Sequence, residues 1–96
     1  MIKLFDLKAR IRNMEIENRP WTREQKLEKD ERLKVLYWMY NNGKMKTQEE
    51  LTYKLEQTES MLNHFKHNCD PNSDEYKRTE YKLRELKVLD TFYDGF

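Results

Sequence analysis

The sequence predicts an all-α fold: a small bundle of about four helices that ends in an antiparallel αα-hairpin. Three observations carry that prediction. Only 2 glycines and 2 prolines interrupt the 96 residues, so long stretches have no obligatory turn. Pro20, Gly43 and Pro71 then cut the chain into four segments of similar length, each suited to one long helix. Within the segments, apolar residues recur at spacings of three and four, and two segments open on capping boxes. A chain this short builds one modest core, so residues 1–96 read as a single helical domain.

The first helix is expected from about Ile2 to Asn18, with Leu4, Leu7, Ile11 and Met14 on one stripe. Arg19 precedes Pro20, which pushes its backbone away from the α region and ends the helix. Lys3, Lys8, Arg10 and Arg12 make this the most basic element, and a solvated face is the ordinary use of such residues.

The second helix, about 23–41, starts at the capping box Thr22-Arg23-Glu24-Gln25. The spacing pairs Glu28 with Arg32 and Asp30 with Lys34, acid first, the favourable order. Asn42 and Gly43 are placed to supply a left-handed C-terminal cap. Leu36, Tyr37, Trp38, Met39 and Tyr40 are apolar or aromatic all round the helix, so one neighbour cannot cover them. A central place in the bundle would explain this, and so would a partner-binding surface made of Trp21, Tyr37, Trp38, Met39 and Tyr40, since Tyr, Trp and Met are enriched at interfaces.

The third helix, about 47–68, opens on a second capping box, Thr47-Gln48-Glu49-Glu50, with Met45 placed to pack on Leu51. Leu51, Leu55, Leu62 and Phe65 follow a heptad in which Thr58 holds the remaining seam position. Asp70, Pro71 and Asn72 reverse the chain, and Asn72 or Ser73 caps the fourth helix, about 73–93. Tyr76, Leu83, Leu86 and Tyr93 continue a stripe that Leu89 and Phe92 widen. Two amphipathic helices of matching length, joined by a short polar loop, fold back on each other.

Composition narrows the function. The net charge is +1 and 39% of residues are charged, with only a slight excess of positive charge in the N-terminal half, so charge does not call for nucleic acid. No apolar run of membrane-spanning length and no signal core is present. The single cysteine, Cys69, fits a reducing compartment. A cytoplasmic protein is expected, in the host cytoplasm if the source is viral. One alanine among many Lys, Glu, Asn and Tyr is the bias of AT-rich coding sequence and suggests a phage or other mobile element.

Chemistry-bearing patterns are sparse. His64, His67, Cys69 and Asp70 gather near the end of the third helix, but a closed zinc site needs ligands that the chain does not supply elsewhere. Gly43 and Gly95 cannot make a glycine-rich phosphate loop. Carboxylates stand at helix-surface spacings, with no pair framed by apolar residues. The sequence therefore predicts no catalysis, no cofactor, no metal and no small-molecule substrate.

Residues 48–65 resemble the helix-turn-helix of phage-repressor and bacterial regulator families. Leu51, Leu55, Leu62 and Phe65 fall on that motif's core positions, Thr52 on its small-residue position and Thr58 where its second helix is capped. The resemblance implies a DNA-binding regulator in which Thr58, Glu59, Ser60, Asn63, His64 and His67 face the major groove; on that reading the basic first-helix residues Lys3, Lys8, Arg10 and Arg12 would add further contacts. The primary expectation is a non-enzymatic helical module that binds another protein, of the kind with which a mobile element inhibits or redirects a host factor. The DNA-binding regulator is the alternative, and a self-assembling coiled-coil scaffold, for which a homodimer is the simplest form, is the third.

Overall fold

A computed structural model of the chain describes residues 4–17, 20–41, 43–68 and 70–94, with side chains except those of residues 4, 5 and 92–94. Among the described residues the chain forms four helices, α1 (Leu4–Ile16), α2 (Arg23–Met39), α3 (Gln48–Asn68) and α4 (Asp74–Asp94). Two short strands, β1 (Tyr40–Asn41) and β2 (Lys44–Met45), lie between α2 and α3. The small all-α bundle predicted from periodicity is the fold observed.

Both capping boxes form. The amide of Gln25 donates to Thr22 Oγ1 and the amide of Thr22 donates to Gln25 Oε1, each at 3.1 Å. At α3, Glu50 N donates to Thr47 Oγ1 at 3.2 Å, and Thr47 N donates to Glu50 Oε1 at 3.3 Å. The α3–α4 reversal is closed by Asp70, whose side chain accepts from Asn72 N and whose carbonyl accepts from Ser73 N, both at 2.9 Å. Ser73, the second of the two expected caps, then accepts from Tyr76 N at 3.4 Å.

The chain between α2 and α3 departs from expectation. Instead of running to 41 and ending in a glycine cap, α2 stops at Met39, and Tyr40 turns extended (φ −124°, ψ 113°) while its N–H still reaches Leu36 O. Tyr40 pairs with Met45 and Asn41 with Lys44 in an antiparallel ladder, and Lys46 N donates to Met39 O at 2.8 Å. Gly43 does take a left-handed conformation, φ +81°, but in the turn of this hairpin. An Asn-Gly pair between strand-forming residues is the strongest short hairpin signal, and here it outweighs the capping alternative. Asn42, Lys3 and the expected limits of the first helix at Ile2 and Asn18 lie outside the described residues.

α3 runs unbroken from Gln48 to Asn68 through Glu56, Gln57 and Thr58. The turn of a helix-turn-helix is therefore absent there. The physical reason is that a left-handed turn at Glu56, where that motif prefers glycine, costs about 1–2 kcal/mol, while an unbroken helix already places Leu51, Leu55, Leu62 and Phe65 on one face. Thr58, expected on the alternative to cap a second helix and face DNA, is buried with its hydroxyl donating to Lys54 O at 2.7 Å. That bond satisfies a polar group on an apolar seam.

α4 is flanked by α3 and α2, and α1 packs mainly on α2 while reaching α4 through Arg10. The core draws Leu7 and Ile11 from α1, Val35, Leu36 and Met39 from α2, Leu51 from α3, and Leu86 and Leu89 from α4. Met45 leans on this cluster, which includes Leu51, as the staple predicts. The expected Glu28–Arg32 pair forms at 2.9 Å, whereas Lys34 reaches Glu31 at 3.1 Å instead of Asp30. The side chains of Leu4, Phe92 and Tyr93 lie outside the described residues.

Candidate partner surfaces and a buried charge network

Residues 36–40 divide by face. Leu36 and Met39 are completely buried, so Met39, although a candidate contact by composition, belongs to the core. Tyr37 is 46% exposed, and Trp38 and Tyr40 are half-buried. Tyr37 and Tyr40 line a depression of about 500 Å³ with Lys8, Ile11, Arg12 and Glu15 of α1 and Asn41. Lys8 Nζ lies 5.5 Å from the centre of the Tyr40 ring, a cation–π contact. Partial burial and a hydrogen bond to Glu15 raise the Tyr37 phenol above its ordinary value. Arg12 is exposed and has no ion-pair partner among the described residues.

Trp38 faces the other way. It shares a depression of about 400 Å³ with Tyr53, Lys54, Gln57, Lys46, Glu49 and Glu50. Lys46 Nζ and Lys54 Nζ stand 5.6 and 5.7 Å from its ring centre. Trp21 precedes α2 at the end opposite Tyr37, about 24 Å away by helical rise, half-buried with Lys29 Nζ 5.1 Å from its ring centre. The five aromatic and apolar candidates thus belong to three places and the core, not to one patch.

The residues of the DNA-binding alternative are also divided. Lys8 and Arg12 are exposed on α1, and Ser60, Asn63, His64 and His67 are exposed on α3. Thr58 is buried, Arg10 turns inward, and Lys3 lies outside the described residues.

Sequence reasoning missed the most distinctive feature of the interior. Glu85 is completely buried and receives a two-pronged pair from Arg10, Nε at 2.7 Å and Nη2 at 2.9 Å, with Arg32 Nη1 at 3.9 Å. The bond from Glu85 raises the Arg10 guanidinium further, against the opposing effect of its own partial burial. Glu31, 1% exposed, is surrounded by Lys34 at 3.1 Å, Lys82 at 3.4 Å and Arg78 at 3.8 Å. Acids of α2 face bases of α4 along this interface, as when Lys77 approaches Glu24 at 3.5 Å and Arg84 approaches Glu28 at 3.9 Å. A sequence signal existed: Leu27-Glu31-Val35 and Tyr81-Glu85-Leu89 are rows one turn apart, each with an acid at its centre.

This network pairs acids of α2 and α4 with bases of neighbouring helices. Tyr81 donates its hydroxyl to Glu24 Oε1 at 2.9 Å, and burial followed by that carboxylate pushes its phenol up to about 12. It is a fixed donor at neutral pH, not a base. The same bond, helped by Lys77, holds Glu24 below the ordinary carboxylate value. Among the described residues no group of three or more His, Cys, Asp or Glu side chains could hold a metal ion, and Cys69 lies outside them.

Comparison with known proteins gives no match, whether to protein-family models, to curated proteins or to solved structures. No helix among the described residues is long and apolar enough to cross a membrane.

Proposed function

We propose that the protein is a non-enzymatic protein-binding module, and that its contact surface is the α1–α2 face around Tyr37 and Tyr40. One observation carries this reading. In a stretch whose neighbours Leu36 and Met39 are fully buried, Tyr37 keeps 46% exposure beside a depression flanked by two cations. Tyrosine and arginine are among the residue types enriched at interface hot spots: tyrosine covers much area with few rotatable bonds, and arginine offers a planar fork of hydrogen-bond donors. Lys8 and Arg12 stand one turn apart on α1, and among the described residues Glu15 is the one carboxylate that lines the depression. The partner that this charge distribution fits is a protein presenting an acidic segment with an apolar anchor between the two rings.

The test is affinity capture from cell extract with the wild-type protein and with Tyr37→Ala and Arg12→Glu, followed by binding measurements on whatever is captured. Both side chains are exposed, so both variants should keep the wild-type melting curve. The expected result is a partner whose affinity drops by about 2 kcal/mol for Tyr37→Ala and which binds more weakly as salt rises. Equal capture by wild type and both variants would remove this surface from consideration.

A further inference from the structure

We infer that the outer face of α3 is the interface of an antiparallel homodimer, a proposal independent of the α1–α2 surface. Opposite the buried row of Leu51, Thr58 and Leu62, α3 carries Tyr53, Gln57, Ser60, Met61 and His64, at the spacings that place residues on one helical face. All five are exposed, Tyr53 by 67% and Met61 by 49%, and none bears a formal charge with histidine neutral. A charge-free stripe with two large exposed side chains is an unusual solvent face in a chain that is 39% charged.

The ends of the helix name the occupant. The first turn of α3 is acidic, with Glu49 and Glu50, while His67 stands in the last turn on the side of the stripe, an N–H donor even when neutral; Lys66, one turn beyond buried Leu62, faces away from the stripe. A second copy laid antiparallel sets each acidic end against the His67 donor of the other copy, whereas a parallel copy would set carboxylates against carboxylates. A two-fold axis across the middle of the stripe places Tyr53 of one copy opposite His64 of the other, and Gln57 opposite Ser60, with every contact made twice. The His64 ring lies tilted on Phe65 at 5.9 Å, with the Asn68 amide 3.3 Å from its Nδ1.

The same operation brings the Met61 side chain of each copy to the aromatic side of the other copy's depression, where Trp38 and Tyr53 lie beside Lys54 and Gln57 and the charged residues Lys46, Glu49 and Glu50 complete the lining. Met61 and Lys54 lie toward the same edge of the stripe, and a two-fold axis in the interface keeps an edge on its own side. A flexible thioether entering a space of about 400 Å³ beside two aromatic rings makes the sulfur–aromatic contact that methionine favours. Nearer the ends of the helix, Glu49, which also lines this depression, meets His67 of the second copy.

Sedimentation velocity on the full chain from low micromolar to millimolar concentration tests this. The wild type should pass from one copy to two, and Tyr53→Asp and Met61→Asp should each raise the dissociation constant about tenfold or more while leaving the melting curve at low concentration unchanged. Glu49→Lys and His67→Glu should each weaken the dimer, and the two together should restore it, which a parallel arrangement would not do. A wild type that stays monomeric throughout, or a dimer indifferent to Met61→Asp and to the charge exchange, would overturn the proposal. Neither outcome bears on capture through Tyr37.

Discussion

Replacing Arg10 and Glu85 by methionine, singly and together, tests the buried pair that ties α1 to α4. Two charge-assisted bonds of 2.7 and 2.9 Å join the side chains, but the partners are buried unequally: Glu85 is completely buried, whereas the Arg10 side chain is 31% exposed. Removing one partner of a fully buried pair costs about 3–5 kcal/mol because a charge is left without compensation. In Arg10→Met that stranded charge is Glu85, which cannot reach water and, among the described residues, keeps only Arg32 at 3.9 Å, so about 3 kcal/mol is expected. In Glu85→Met the stranded charge is Arg10, which can swing its head to solvent, so the cost falls to about 1–2 kcal/mol. The double variant puts two flexible apolar chains into the same space and should lie within about 1 kcal/mol of wild type. Urea unfolding with an unchanged m-value reads all three differences. The reasoning fails if Glu85→Met costs more than Arg10→Met, or if the double variant simply sums the two singles. Against a total stability of about 5–15 kcal/mol the effects are easily measured.

Alkaline titration probes the Tyr81–Glu24 bond: the folded phenol is raised to about 12 from 10.0, so its contribution to stability is complete below pH 10 and lost as pH rises toward 12. Tyr81→Phe should flatten that part of the stability profile, and an unchanged alkaline limb would contradict the assignment. Gly43 at φ +81° has nothing within 4 Å of a built Cβ, so Gly43→Ala should cost only the left-handed strain of about 1–2 kcal/mol. Gly43→Asn should recover part of it, and thermal melts that rank Asn below Ala would show that the turn does not need this conformation.

The parts of the fold that were legible in sequence are those fixed within a few residues. Thr22 with Gln25 and Thr47 with Glu50 close rings of local hydrogen bonds, and Asp70 to Ser73 stop one helix and start the next. Periodicity likewise placed Leu51, Leu62, Leu83, Leu86 and Leu89 inward. At the ambiguous points, two local solutions competed and packing chose. Asn42-Gly43 suits a helix cap or a hairpin turn, and Met45, drawn onto the core, favours the hairpin. Residues 48–65 suit a broken or an unbroken helix, and α4 offers one continuous seam to pack on.

The candidate site was less legible for the same reason. Composition brought Trp21, Tyr37, Trp38, Met39 and Tyr40 together as types, but which of them meets solvent depends on the flanking helices: Met39 goes to the core, and Tyr37 and Trp38 face different depressions. Glu31 and Glu85 stood in apolar rows, yet an acid there reads as solvated until its cations are known. Arg10 lies 75 residues from Glu85, and only the docking of α1 and α4 brings them within 3 Å. Helix starts, stops and inward faces follow from the sequence because hydrogen bonds and steric limits act along the backbone. Buried charges and exposed aromatics were decided by the tertiary structure, because desolvation is a property of what all four helices do together.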